Sequence, residues 1–273
     1  MSIHPSARIH PTAIISPQAE IGPDVRIEAF ALVEGPVSIG PGCILRPRAH
    51  LIGPLRLGVN NQIFSNAVLG ERPQHFLYKD EPTGLEVGDN NTFRENVTIH
   101  RATTQSMFTR IGSGNYLMAG SHVGHDCQIG NNCILANGVL LAGHCVLGNN
   151  VYMAGASAIQ QFCRLGRLCF LGGMSSSTKD IPPFIMQQHR NRVVGVNVVG
   201  MRRAGMTAKQ INAIRKAFRI VYLQDLSLPN ALVCVERELG DIDSVQEYLQ
   251  FIRESKRGIN AFREDQGEEL AAA

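Results

Sequence analysis

The chain has 273 residues, a net charge of +3, 6% aromatic residues, no Trp and 27 Gly. No apolar stretch approaches the ~20 residues of a membrane span, the N-terminus lacks an apolar signal core, and so mild a charge does not select nucleic acid as a partner. Few large side chains with much glycine suit a repeat of small residues in tight corners, in a soluble cytoplasmic protein without membrane insertion.

From the first residues the pattern is six residues long. Aliphatic side chains recur at Ile3, Ile9, Ile15, Ile21, Ile27, Val33, Ile39, Leu45, Leu51, Leu57, Ile63 and Leu69, resume at Val87, Phe93 and Ile99, and run again from Ile111 through Leu171. Four places on, the side chain is usually small, as at Ala7, Ala13, Ala19 and Cys43. A helix repeats near 3.6 residues and a strand at 2, so neither produces this spacing. Six residues fit a short strand and a turn, and three such units make a triangular coil whose strands stack in parallel about 4.8 Å apart. The pattern is that of a hexapeptide-repeat solenoid, a parallel β-helix.

Six of the seven cysteines (Cys43, Cys127, Cys133, Cys145, Cys163 and Cys169) occupy the small inward position. They read as core packing, because side chains stacked in register point the same way and cytosolic thiols stay reduced. Residues 71–86 and 102–110 interrupt the hexads with Pro, Gly and charge, and long loops on a rigid scaffold tend to carry function.

The hexads end at Asp180-Ile-Pro-Pro183. Thr207-Ala-Lys-Gln210 is a capping box opening an amphipathic helix, with Ile211, Ile214, Ala217, Phe218 and Val221 on its apolar face. A second helix is expected after Pro229 and a third from Asp243 to before Gly258, with the final Glu-Glu-Leu-Ala-Ala-Ala frayed. The division expected is a β-helix over residues 1–190 and a small helical domain over 191–273 that caps the coil. No acidic residue lies between Asp180 and Asp225, whereas Arg190, Arg192, Arg202, Arg203, Lys209, Arg215, Lys216 and Arg219 do. Such a field suits an anionic partner.

Coil arithmetic assembles a site around His122-Val-Gly-His125-Asp126-Cys127. Eighteen residues beyond His125 is Gly143 and eighteen further is Gln161, while Asp126 stands below His144. An imidazole beside a carboxylate can serve as a base, and a glycine N–H above it as an oxyanion donor. No Ser or Cys stands where a nucleophile would, which favours direct transfer over a covalent intermediate. His4, His10 and His50 read as turn fillers. Zinc is the rival use of clustered histidines, but the pair five residues apart found in a metal-dependent solenoid carbonic anhydrase is missing; neither metal nor cofactor is expected.

With these residues in view, the chain resembles the acyl-carrier-protein-dependent UDP-N-acetylglucosamine O-acyltransferases that begin lipid A synthesis in Gram-negative bacteria. The resemblance spans nearly the whole chain. It rests on His10-Pro-Thr-Ala-Ile14, Val97-Thr-Ile-His100-Arg101, the His122–Cys127 segment, Cys133-Ile-Leu-Ala-Asn137, Gln161-Phe-Cys163, Asp180-Ile-Pro-Pro183 and Gly195-Val-Asn197. It implies a left-handed coil, a homotrimer with sites between subunits, and transfer of a 3-hydroxyacyl chain from acyl carrier protein to the sugar 3-hydroxyl. By position, His125 is the implied base, Asp126 its orienting partner and Gly143 the oxyanion donor. His122, His144, Gln161 and His100 would line the cleft, Gln74, Asn197 and Arg203 would contact the nucleotide, and Gly173 would border the acyl groove. Gln160, His75, Leu77, Val199 and Ala204 depart from the family's usual residues. The alternative acceptors are a 3-amino sugar nucleotide or, by N-acylation, UDP-3-O-acylglucosamine.

Overall fold

The computed structural model describes residues 2–103 and 107–262. The final residues expected to fray lie outside the described residues. The hexads form three parallel sheets of nine strands each, visited in strict rotation, and three later strands extend the second to twelve. The first sheet begins with Ser2–Ile3, the second with Arg8–Ile9 and the third with Ile14–Ile15, each pairing with the strand one coil later. The recurring aliphatic residue points inward on every strand, and from Ile21 onward these residues are buried, as are the small residues and the six inward cysteines. Ile3, on the first strand, is 38% exposed.

One corner, following the first sheet, is a column of glycines. A Cβ on Gly40 would lie 2.5 Å from the Gly58 carbonyl oxygen, so a side chain there would push successive coils apart. The corner between the third and first sheets is built differently, and both loops leave from it. The first connects Val68–Glu71 to Gly84–Val87, and the second connects Thr98–His100 to Phe108–Ile111. Leu57 pairs with Val87 thirty residues on, and Val87 with Ile111 twenty-four on, so the loops add twelve and six residues to the ordinary eighteen.

Above Ser176–Ser177 the coil closes in a way the hexads do not foretell. Ile185–Gln188 extends the second sheet in parallel, Arg192–Val196 pairs with it antiparallel, and Ala261–Phe262 returns to pair with that strand. Four helices follow: α1 (Val198–Arg203), α2 (Ala208–Leu223), α3 (Leu228–Leu239) and α4 (Asp243–Arg253). The capping box opens α2 as expected: Gln210 N–H donates to Thr207 Oγ1 at 3.3 Å, and Thr207 N–H to Gln210 Oε1 at 2.9 Å. Helix α1 was not expected from the sequence. The Asn197 carboxamide caps it by accepting from Gly200 N–H, and Met201 is its buried anchor. The helices share an interior of Ile214, Phe218, Val235, Val245 and Leu249. Arg167 holds Glu247 of α4 at 2.7 Å, and Ser255 donates to Asp180 at 2.7 Å, which ties the helices to the last coil.

Candidate active site

The corner from which both loops emerge also carries the histidines. His125 lies between strands His122–Val123 and Gln128–Ile129, His144 one coil above, and Gln161 and Phe162 one coil higher. Asp126, His144 and Phe162 occupy equivalent turn positions, all left-handed, with φ of 63°, 61° and 66°. A non-glycine residue pays about 1–2 kcal/mol to adopt that conformation. Holding three such residues in one column sets their side chains on one axis.

The Asp126 carboxylate is the buried foot of the column, with a side-chain exposure of 0%. Its Oδ2 is 2.6 Å from His125 Nδ1 and 3.5 Å from His144 Nε2. Thr103, in the second loop, donates its N–H to Oδ1 at 3.1 Å and its hydroxyl to Oδ2 at 2.9 Å. A buried carboxylate without such donors would cost several kcal/mol. Because Nδ1 faces the carboxylate, Nε2 of the neutral ring keeps its lone pair. Above the ring is Gly143, where a Cβ would lie 2.7 Å from His125 Nε2 and Cε1. Only glycine leaves the imidazole its place. Among the described residues, nothing accepts the Gly143 N–H.

Other imidazoles crowd the same corner. The His144 ring contacts His125 edge-on at 5.1 Å and stacks on Phe162 at 4.4 Å. His75, in the first loop, meets His125 edge-on at 5.3 Å, and its chain neighbour Gln74 is exposed. His122 Nδ1 is 2.8 Å from Thr98 Oγ1, and its ring meets His100 at 4.9 Å. Burial lowers the His144 pKa, Asp126 opposes that, and His125 and His75 add to it. Burial, then His125, lowers that of His122. Burial, helped by His122, brings His100 down to about 4, and its Nδ1 has no hydrogen-bond partner among the described residues. Their surroundings therefore favour the uncharged forms of His100, His122 and His144.

Gln161 is exposed at the same corner. Asn197 and Arg203 are elsewhere in the chain. They line a cavity of about 570 Å³ against the second sheet, with Ile134, Tyr152, Phe170 and Met186. Asn197 is also occupied structurally, donating to the Leu168 carbonyl at 2.9 Å while capping α1. Gly173 sits at the corner between the second and third sheets, where a Cβ would meet nothing closer than the Gly155 oxygen at 3.5 Å. Two residues of the corner, Thr103 and Phe162, escaped the sequence reading, and His75 entered it only as a departure from the family's usual residues. Phe162 could have been found by adding eighteen to His144. Thr103 and His75 lie in the loops, where that count fails.

Residues 108–143 match the family model described as bacterial transferase hexapeptide (six repeats), and residues 180–260 match that of UDP N-acetylglucosamine O-acyltransferase, domain 2. A curated relative from Thermodesulfovibrio yellowstonii, named acyl-[acyl-carrier-protein]–UDP-N-acetylglucosamine O-acyltransferase, is 44% identical over 92% of this chain and 98% of its own. One of the same name from Anaeromyxobacter sp. is 46% identical over the same shares. The solved UDP-N-acetylglucosamine acyltransferase from Campylobacter jejuni superposes with a TM-score of 0.87 at 33% identity, covering 94% of this chain and 100% of that one.

Proposed function

The chain belongs to the acyl-[acyl-carrier-protein]–UDP-N-acetylglucosamine O-acyltransferases, with their left-handed parallel β-helix, and we propose on that footing that His125 is its general base. The substrates are a 3-hydroxyacyl carrier thioester and UDP-N-acetylglucosamine, and the product is the 3-O-acyl sugar nucleotide that begins lipid A synthesis in the cytoplasm. The observation that carries this reading is the 2.6 Å contact between Asp126 and His125 Nδ1, with Gly143 against the opposite edge of the ring.

His125 Nε2 accepts the proton of the sugar 3-hydroxyl as its oxygen attacks the thioester carbonyl. Asp126 fixes the tautomer and stabilises the imidazolium that forms. The Gly143 N–H donates to the oxyanion of the tetrahedral intermediate. On collapse the C–S bond breaks, and His125 returns its proton to the carrier thiolate. His144, His122, His100 and Gln161 line the cleft, and Gln74 reaches the acceptor from the loop. The acyl chain runs toward Gly173, past Leu140 and Ala158 on the outer face of the third sheet.

Asn197 and Arg203 serve the nucleotide of a site whose histidines belong to a neighbouring copy. This arrangement accounts for their distance from the histidine corner within one chain, and it makes a homotrimer the working form. The acidic carrier docks on the basic stretch from Arg190 to Arg219. Incubating the purified protein with a 3-hydroxyacyl carrier and UDP-N-acetylglucosamine should release carrier thiol and form a base-labile ester. The 3-amino analogue should react more slowly. Faster transfer to the analogue, or none to UDP-N-acetylglucosamine, would overturn the acceptor assignment.

A further inference from the structure

The foot of the histidine column is also a set of metal donors. One ligand atom from each of His125, Asp126 and His144 lies within 4.8 Å of the others, and the side chains are 12%, 0% and 17% exposed. Two donors of a tetrahedral zinc ion, each about 2.0–2.1 Å from the metal, stand about 3.3–3.4 Å apart. Asp126 Oδ2 and His144 Nε2 are 3.5 Å apart. An ion seated between them meets its first two ligands at close to the required separation. The third is His125 Nδ1, now 2.6 Å from Asp126 Oδ2, which must open to the same separation as its hydrogen bond to Asp126 is exchanged for the metal. Two imidazoles and a carboxylate select a borderline transition ion over Mg²⁺ or Ca²⁺. The thiols are no competitors: Cys127, Cys145 and Cys163 are sealed inside the coil.

We propose that His125, Asp126 and His144 bind one divalent transition-metal ion, with Zn²⁺ as the probe, and that binding switches the transferase off. The chemistry balances without redox or net proton release. The metal takes the Nδ1 lone pair, the proton that Nδ1 carried moves to Nε2, and the neutral ring then has no lone pair for the acceptor hydroxyl. The inhibition rests on His125 being the base; the binding does not.

Calorimetry on the whole protein without substrate, in a buffer that does not chelate, should therefore give one Zn²⁺ per chain at micromolar concentrations. His144→Asn, which tolerates the left-handed backbone at this position, should weaken binding about tenfold or more, and His144→Ala should do the same. Acyl transfer should fall as the site fills and return with EDTA, while Mg²⁺ leaves it unchanged. Equal Zn²⁺ affinity in the wild type and both variants, or no binding at micromolar Zn²⁺, would overturn the site. Zn²⁺ that binds through His144 while transfer continues would overturn the inhibition and count against His125 as the base.

Discussion

Asp126 and His100 place opposite demands on the same corner. The carboxylate accepts from Thr103 and lies 2.6 Å from His125 Nδ1, while His100 is kept neutral by burial beside His122. The folded pKa of about 4 for His100 lies below its ordinary 6.5. Between those values the unfolded chain holds a proton that the folded chain excludes, so stability rises with pH across this window and falls on acidification. The shift corresponds to about 3 kcal/mol, fully present above pH ~6.5 and gone below pH ~4. His122 and His144 add to the slope in the same direction. Thermal unfolding followed across that window should therefore show a flatter acid limb in His100→Asn than in the wild type. Identical limbs would mean that His100 is not held neutral by the fold. At this scale the sequence is readable wherever eighteen residues make a coil: His125, Gly143, Asp126 and His144 all follow from addition. It is silent where a loop changes the count, as at Thr103.

The second loop supports the histidine corner, because its Thr103 donates to Asp126 through both N–H and hydroxyl. Replacing Thr103 with Val keeps the backbone donor and removes the hydroxyl bond to Oδ2. A hydrogen bond to a buried charge is worth about 2 kcal/mol, so unfolding by denaturant should show a loss of that order, with slower transfer at saturating substrate. Unchanged stability would remove Thr103 from the support of Asp126. Elements with strong local signals were legible: the hexad strands by their inward aliphatics, α2 by its capping box, and α3 by Pro229 in its first turn. The hairpin of Ile185–Gln188 and Arg192–Val196 was not, because its strands follow the pleat and abandon the hexad. Helix α1 was hidden by Val198, Val199 and Gly200, poor helix formers that the Asn197 cap and the burial of Met201 override.

Across the whole molecule, the histidine corner and the Asn197–Arg203 cavity are lined by different residues, so the nucleotide role proposed for Asn197 and Arg203 requires a second copy of the chain. Co-expressed His125→Ala and Arg203→Ala chains, each weak alone, should regain activity, because about a quarter of the sites in a randomly mixed trimer combine both intact residues. No recovery would place the two residues in one chain's site or remove Arg203 from it. Proton transfer to His125 is the step on which the proposed reaction depends. Steady-state transfer from 3-hydroxyacyl carrier to UDP-N-acetylglucosamine, measured for wild type and for folded His125→Ala, should show kcat lower by about 10²–10⁴-fold in the variant. Transfer at the wild-type rate would contradict it.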